Sequence, residues 1–330
     1  MRRRELVALL GAAAVTRPHV ARAQQPERMR RIGALMGYAE GDREGQAFVT
    51  AFREELRKLA WIEGKNVTID ARWGAGKEEP TQQFAAEIVA LKPDLILSHS
   101  TPTTAALLNN TRTIPIVFAN VTDPIGSGFV ASLPQPGGNA TGFVNMEDSM
   151  SGKWLELLKE VAPGIRRVGF LFNPNTAPYF HYYLKYLQTT APSFAAEAIA
   201  APVSDPSDLE PIMAAHAREA DSGMIVMTDN FTTSHRVEIT TLAARYGLPT
   251  IYPYRFFVEL GGLMSYGSDV PDNFRRAAGY ADRILKGTNP RELPVQAPVK
   301  FELVINLKTA RELRLQIPTQ LQQRADGLIE

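Results

Sequence analysis

Residues 30–36 read RRIGALM, and residues 166–172 read RRVGFLF. In both stretches two arginines lead into a short apolar run, the pattern of a strand that is buried on both faces of a parallel sheet. Three further pairs of similar stretches follow in the same order: 94–104 with 223–233, 114–118 with 248–252, and 142–145 with 262–265. The offsets within the four pairs are 136, 129, 134 and 120 residues, so the order is kept while the spacing drifts slowly. This pattern predicts two copies of one structural unit, with a chance likeness between buried strands as the alternative.

Within each copy, short apolar runs alternate with longer amphipathic stretches, as in a parallel sheet covered by helices. Strands are predicted at 32–36, 67–72, 95–98 and 116–119 in the first copy, and at 168–172, 197–200, 224–227 and 250–252 in the second. Helices are predicted at 46–59, 82–91, 179–190, 209–216 and 234–246. A later helix near 273–286 and a last strand and helix within 301–314 are expected to complete the two units.

The predicted fold class is therefore α/β, with two Rossmann-like lobes that each contain a parallel sheet flanked by helices. We assign residues 30–144 plus about 268–296 to the first lobe, and residues 145–267 plus about 297–330 to the second. Several crossovers between the lobes would act as a hinge and leave a cleft between them. Ligands of open α/β sheets bind beyond the carboxyl ends of the strands, so we expect a ligand site in this cleft.

The composition excludes several classes of function. The chain has 330 residues, a formal net charge of +1 and no run of five like charges, which argues against nucleic acid as a partner. The absence of cysteine excludes disulfides, thiol nucleophiles and cysteine-ligated metals. The chain has neither a Gly-x-Ser-x-Gly nor a His-Glu-x-x-His motif, and its five histidines do not cluster at ligand spacing. We therefore expect no catalytic residue, no metal and no cofactor.

The first residues have the pattern of a secretory signal peptide. Arginines at positions 2 to 4 precede an apolar run of ten residues from Leu6 to Val15, and Ala21-Arg22-Ala23 has the small-x-small form that signal peptidase cuts. A membrane anchor is the alternative, but spanning a bilayer takes about 20 apolar residues. We predict a signal peptide at residues 1–23 that is cleaved near Ala23, and a periplasmic product. The choice between the general and the twin-arginine export route stays open.

Polar and aromatic side chains follow the predicted strands at the edge where the cleft would lie. The candidate ligand-binding residues are Tyr38, Ser100, Thr101, Thr122, Asp123, Asn145, Asn173, Asp229, Phe231 and Tyr266. Pro102 at the start of a helix leaves Ser100 or Thr101 as its N-cap, and the N-terminus of a helix attracts carboxylates. The alternative is that Thr101 only caps its own helix.

The remaining candidates also have two interpretations each. Asp123 and Asp229 could each bind a ligand ammonium by a charge-assisted hydrogen bond, or could be turn or cap residues. Tyr38 and Phe231 could form flat apolar walls of the site, or could belong to the core. His99 is interpreted as a packed or rim residue rather than as a base. The hinge is expected near Asn145 and Tyr266.

The sequence also resembles a known family. The resemblance rests on Arg31-Ile32-Gly33, TIPIVF at 113–118 followed by TDPIG at 122–126, PGGN at 136–139 followed by TG at 141–142, and NLKTA at 306–310. On these motifs the mature chain resembles, nearly from end to end, the substrate-binding proteins of ABC transporters of the tryptophan/tyrosine-binding type. These proteins have the type I periplasmic-binding-protein fold. The resemblance implies capture of a ligand between two lobes and delivery to a membrane permease with its ATPase, without chemistry on the ligand.

By position, Ser100-Thr101, Thr122-Asp123, Asn145 and Asp229 match the loops of that family that face the cleft. The family often has Gly-Thr before the proline where this chain has Ser100-Thr101, and His99 stands one step earlier. This departure leaves the geometry around the ligand's head group open.

The predicted function is that of a periplasmic solute-binding component of an ABC importer, which captures a small carboxylate such as an aromatic or branched amino acid. The alternatives are a periplasmic enzyme or a sensor-linked ligand-binding module on the same scaffold, because one fold hosts many functions. The ligand domain of a transcription factor is a third interpretation, but it would need a DNA-binding motif ahead of residue 30.

Overall fold

The computed structural model describes residues 28–330. The signal peptide predicted at residues 1–23 lies outside the described residues. Within them, no helix is both long enough and apolar enough to cross a membrane.

The first half of the chain forms a five-stranded parallel sheet. Its strands are β1 (Arg30–Met36), β2 (Val67–Trp73), β3 (Leu95–Ser98), β4 (Ile116–Val121) and β5 (Ala140–Val144). They lie in the order β2-β1-β3-β4-β5, and every pair is parallel. The helices between them are α1 (Arg43–Lys58), α2 (Glu78–Ala90) and α3 (Thr101–Asn110).

The second half forms a seven-stranded sheet. Its strands are β6 (Arg167–Phe172), β7 (Glu197–Pro202), β8 (Ser222–Val226), β9 (Thr250–Tyr252), β10 (Met264–Ser268), β11 (Phe301–Asn306) and β12 (Gly327–Ile329). The helices that follow the first sheet are α4 (Met150–Val161), α5 (Phe180–Thr190), α6 (Leu209–Arg218), α7 (Asn230–Ser234), α8 (Arg236–Arg245), α9 (Arg255–Glu259), α10 (Val270–Leu285), α11 (Leu307–Glu312) and α12 (Thr319–Arg324).

The internal repeat is confirmed by the strand order. The second sheet reads β7-β6-β8-β9-β10 and is then extended by β11 and β12, so its first five strands repeat the order β2-β1-β3-β4-β5. All four sequence pairs fall on equivalent strands. The predicted fold class is confirmed as well, with one difference: β11 runs antiparallel to β10, so the larger sheet is mixed rather than purely parallel.

The chain passes between the two sheets three times. It leaves β5 for α4, returns after β10 to α10, and leaves again before β11. Helix α10 packs against α1 and against β3, β4 and β5, although it comes late in the sequence. The segment that follows it stays on the first sheet, where Gln296 bridges to Phe143 and the Thr141 hydroxyl donates to the Leu293 carbonyl at 2.6 Å. These three passages join two structural units that each have their own sheet.

Helix α1 shows why the local elements form. The Asp42 carboxylate accepts hydrogen bonds from the amides of Glu44 and Gly45, which caps the helix at its first turn. Phe48, Phe52 and Leu56 lie at helical spacing, and all three are buried.

The contact between β4 and β5 depends on a glycine. Gly142 of β5 has φ +152°, and a Cβ there would lie 1.9 Å from the Phe118 carbonyl oxygen. Only glycine allows β4 and β5 to approach each other so closely.

Candidate functional site

A small cavity lies between the carboxyl ends of the strands of both sheets, where the sequence predicted a cleft. It has about 10 Å³ of free space and is lined by Tyr38, His99, Ser100, Thr101, Pro102, Asn120, Asn145, Tyr179, Thr228, Asp229, Asn230, Thr233 and Tyr254. This is about the space of one water molecule, so a larger ligand requires the two sides of the cavity to move apart.

A larger and more open groove of about 310 Å³ lies between Glu44, Arg255, Glu259 and the start of α10. It does not lie at the carboxyl ends of the central strands of both sheets. We take the smaller cavity as the candidate ligand site, because the buried polar groups of both sheets converge there.

The first side of the cavity is the turn from β3 into α3. The backbone amide of Ser100 donates to the Thr103 hydroxyl at 2.9 Å, which fixes the start of the helix. The Thr101 hydroxyl donates to the Thr122 carbonyl at 3.1 Å and accepts from the Thr122 amide at 3.0 Å. This pair of bonds ties the helix N-terminus to the end of β4. The first turn of α3 therefore reaches the cavity in a fixed position.

Asn145 joins the two sides of the cavity at the first chain passage. Its side-chain oxygen accepts from the Thr122 hydroxyl at 2.9 Å. Its amide nitrogen lies 3.4 Å from both the Thr228 hydroxyl and the Tyr254 hydroxyl. The latter two hydroxyls are 2.6 Å apart, and that of Tyr254 donates to the side-chain oxygen of Asn120 at 3.3 Å. A buried polar network therefore connects the ends of β4, β8 and β9.

Asp229 is the buried carboxylate of the second side. It caps α7: one oxygen accepts from the Thr232 amide at 2.6 Å, and the other accepts from the Asn173 amide at 3.1 Å. Burial raises the pKa of the Asp229 carboxyl to about 6, although these hydrogen bonds oppose the shift. The carboxylate is thus mostly ionised near pH 7, with no Lys or Arg among its hydrogen-bond partners in residues 28–330. Such a site favours a cationic group of a ligand.

An aromatic wall closes another part of the cavity. The His99 ring lies 4.8 Å from the Tyr38 ring, and the rings of Phe48 and Phe274 lie 6.3 and 6.0 Å from it. Burial lowers the pKa of His99 to about 3, so its ring is neutral, and burial raises the pKa of Tyr38 well above its usual value. This wall offers flat, uncharged surface to a ligand.

Direct contacts hold the two sides together. The Asn230 amide nitrogen donates to the Ser100 hydroxyl at 3.1 Å. A Cβ on Gly37 would lie 2.7 Å from the same Asn230 nitrogen, so glycine is needed for the close approach. At the edge of the cleft, Arg236 of α8 forms an ion pair with Asp42, the N-cap of α1, at 2.6 Å. The two side chains are only 15% and 13% exposed. The structure therefore shows a closed arrangement.

Five of the ten predicted residues line the cavity: Tyr38, Ser100, Thr101, Asn145 and Asp229. Thr122 and Asn173 lie directly behind them and hold Thr101, Asn145 and Asp229 in place.

The structure does not bring the other three predicted residues to the cavity. Asp123 accepts a hydrogen bond from the amide of Gly126, at 2.8 Å, in its own turn. Phe231 packs on His235, with 4.3 Å between ring centroids. Tyr266 lies on β10 and stacks on Phe301, and its carbonyl accepts from Trp154.

Several residues of the cavity were not among the predicted site residues. His99, Thr228, Asn230 and Tyr254 follow strand ends, and Asn120 is the second-last residue of β4. This position at the strand ends was the available signal. Tyr179 comes from the start of α5, and its hydroxyl donates to the Thr228 carbonyl at 3.2 Å. No pattern in the sequence distinguishes it from its aromatic neighbours. Among residues 28–330 no group of three His, Asp or Glu side chains is placed to hold a metal ion.

The family model described as ABC transporter substrate binding protein matches residues 40–329. The chain belongs to this family. A curated relative is the tyrosine-binding protein of Clostridioides difficile (strain R20291), which is 28% identical over 286 residues that cover 86% of this chain and 80% of the relative. The family consists of substrate-binding proteins rather than enzymes, and the predicted family is confirmed.

Two solved structures show the same fold over most of this family member. A conserved domain protein from Vibrio cholerae has a TM-score of 0.85 and 28% identity, with coverage of 91% of this chain and 100% of the other. An ABC domain from Streptococcus pneumonia in complex with L-Trp has a TM-score of 0.84 and 23% identity, with coverage of 91% and 99%.

Proposed function

We propose that this substrate-binding protein captures an aromatic amino acid between its lobes and delivers it to the permease of an ABC importer. The observation that carries the proposal is the pairing, in one closed cavity, of a buried carboxylate at Asp229 with the first turn of α3 at Ser100 and Thr101. These groups complement the ammonium and the carboxylate of an α-amino acid. Two of the similar proteins, a tyrosine-binding protein and a domain in complex with L-Trp, support the same ligand class.

The head group of the ligand is expected to span the cavity. Its carboxylate would lie at the N-terminus of α3, where the helix dipole favours a negative charge. Its ammonium would face Asp229, whose oxygens are held by the amides of Thr232 and Asn173. The bond between Asn230 and Ser100 marks the point at which a ligand would insert between the two sides.

The side chain of the ligand is expected to lie against the aromatic wall formed by Tyr38 and His99. Aromatic pairs prefer tilted or offset contacts at 4.5 to 7 Å, roughly the spacing of the rings already present. An aromatic ligand would extend this cluster.

The mature protein would act in the periplasm after removal of the signal peptide. We propose the two lobes as 30–144 with about 268–296, and 145–267 with about 297–330, joined by a hinge at the chain passages. The permease and ATPase subunits are the partners that the family implies.

A binding experiment tests the proposal. The mature protein is refolded to remove carried-over ligand and is screened by thermal shift and calorimetry against amino acids, aromatic acids, purines and sugars. A ligand at 100 times its Kd stabilises a protein by about 2.7 kcal/mol, which raises the Tm by a few degrees. We expect aromatic amino acids to give this shift.

Variants separate the proposed roles. Asp229→Ala and Thr101→Val are expected to abolish the shift. Asp123→Ala is the matched control, because this carboxylate also follows a strand but bonds only within its own turn, and it should bind the ligand normally. Binding of non-amino carboxylates alone would contradict the role of Asp229. Turnover of a compound without stable binding would favour an enzyme instead.

A further inference from the structure

His99 is an unusual residue for the wall of a closed cavity. Its side chain is 3% exposed, and neither ring nitrogen has a hydrogen-bond partner among residues 28–330. A buried polar atom without a partner is costly, so native structures almost always satisfy such atoms. His99 lines the cavity, and the rings of Tyr38, Phe48 and Phe274 surround it elsewhere. The cavity is the side from which a partner can come.

The chemical state of the ring defines that partner. The ring is neutral because burial disfavours its charged form, and the attraction of Asp42 is the smaller, opposing influence. A neutral imidazole has one N–H donor and one acceptor nitrogen. A hydroxyl can serve either nitrogen, whereas an N–H can serve only the acceptor.

The groups that bind the amino-acid head are already accounted for. They are the first turn of α3 and Asp229, whereas His99 belongs to the aromatic wall where the side chain of an aromatic ligand would lie. The polar atom that reaches His99 is therefore one carried by the ligand's ring. A Cβ on Gly37 would lie 3.1 Å from Nδ1 of His99.

We propose that His99 is a specificity-determining residue that hydrogen-bonds a ring hydroxyl or ring N–H of the ligand, so that the protein selects tyrosine or tryptophan over phenylalanine. The inference rests on the proposed function and specifies the substrate of the same site. A site built to pair a polar substrate group rejects the analogue that lacks it, because the buried protein group then stays unpaired. We expect a preference of tenfold or more, which corresponds to about 1.4 kcal/mol.

The test compares the Kd values of L-tyrosine, L-tryptophan and L-phenylalanine by calorimetry in the refolded mature protein and in His99→Phe. Phenylalanine keeps the flat ring and its stacking but has no ring nitrogen. We expect the preference over phenylalanine to fall below about threefold in the variant, through weaker binding of the polar ligand. His181→Phe is the matched control: His181 is exposed on α5, and the substitution should preserve the preference.

A second pair of variants protects the test against misfolding of His99→Phe. His99→Gln supplies a donor and an acceptor and should retain much of the preference, whereas His99→Leu should lose it. An unchanged preference in His99→Phe or His99→Leu overturns the inference while the proposed function stands, and so does equal binding of phenylalanine by the unmodified protein. Failure of all aromatic amino acids to bind overturns the proposed function as well.

Discussion

The ion pair between Arg236 and Asp42 is expected to hold the lobes closed, and Arg236→Gln tests this role. The two side chains meet at 2.6 Å across the edge of the cleft and are only 15% and 13% exposed. Their direct attraction at about 4 Å between charge centres is roughly 4 kcal/mol at an effective dielectric constant of 20. Desolvation and loss of side-chain freedom offset much of it, and we expect a net contribution to closure of about 1.4 kcal/mol.

The contribution of the ion pair to closure is expected to strengthen ligand binding. When the bound state is closed, weakening closure raises the apparent Kd by the same factor, here about tenfold. Arg236 also contacts the Thr233 carbonyl and the Phe256 ring, which belong to its own lobe. These contacts exist whether the cleft is open or closed, so they do not contribute to the free-energy difference between the two forms. Calorimetry with the aromatic amino acid that binds best measures the change.

The matched control is Arg245→Gln on the same helix. Arg245 pairs with Glu210 at 2.7 Å, but this pair lies within one lobe and is 56% and 52% exposed, so its loss should change the Kd less than twofold. Asp42→Asn completes a double-mutant cycle, because asparagine still caps α1. An Arg236→Gln protein with a Kd within twofold of the unmodified protein, or a change of equal size in Arg245→Gln, would refute the role in closure.

Two further predictions concern the fold and the buried carboxylate. Gly142→Ala should lower the Tm by several degrees, since its Cβ would meet the Phe118 carbonyl oxygen at 1.9 Å, whereas Gly279→Ala, which meets no atom within 4 Å, should leave the Tm unchanged or raise it. Equal Tm values would contradict the first statement. The pKa of Asp229 is raised by burial to about 6 from an ordinary 3.8, so its contribution favours the folded state at low pH and is lost as the pH rises through 6. The free energy of unfolding of the unmodified protein, relative to that of Asp229→Asn, should therefore increase by at most about 3 kcal/mol from pH 7 to pH 4. Urea unfolding at several pH values measures this difference. A difference that does not change with pH would contradict the pKa shift.

The sequence predicted the strands well because their signal is local. Strands β3 and β9 have the predicted bounds, and the repeat predicted two similar units, whose first five strands the structure shows in the same order. The helix predicted at 234–246 corresponds to α8, whereas the short helix α7 just before it was not predicted. Helix α4 was not predicted, although Trp154, Leu155 and Leu158 are buried on it.

The site was predictable only in part, because strand ends indicate where a cleft lies but not which side chains turn into it. Thr101 and Asp229 follow strands and reach the cavity. Asp123 also follows a strand, but its backbone is left-handed, with φ +45°, and its side chain accepts a hydrogen bond from the Gly126 amide. Likewise, His99 has no sequence motif, and its unpaired nitrogens become visible only when Tyr38, Phe48 and Phe274 are placed around it.

The buried groups of the cavity also bear on how a transporter distinguishes a loaded receptor from an empty one. Closing without ligand leaves the Asp229 carboxylate without a counter-charge and the His99 ring without a partner, away from water. With the proposed roles of Asp229 and His99, binding of an amino acid with a polar ring would remove both penalties. The same residues that choose the ligand would therefore make empty closure rare, and a permease that recognises the closed shape would seldom spend a cycle of ATP hydrolysis on a receptor that carries nothing.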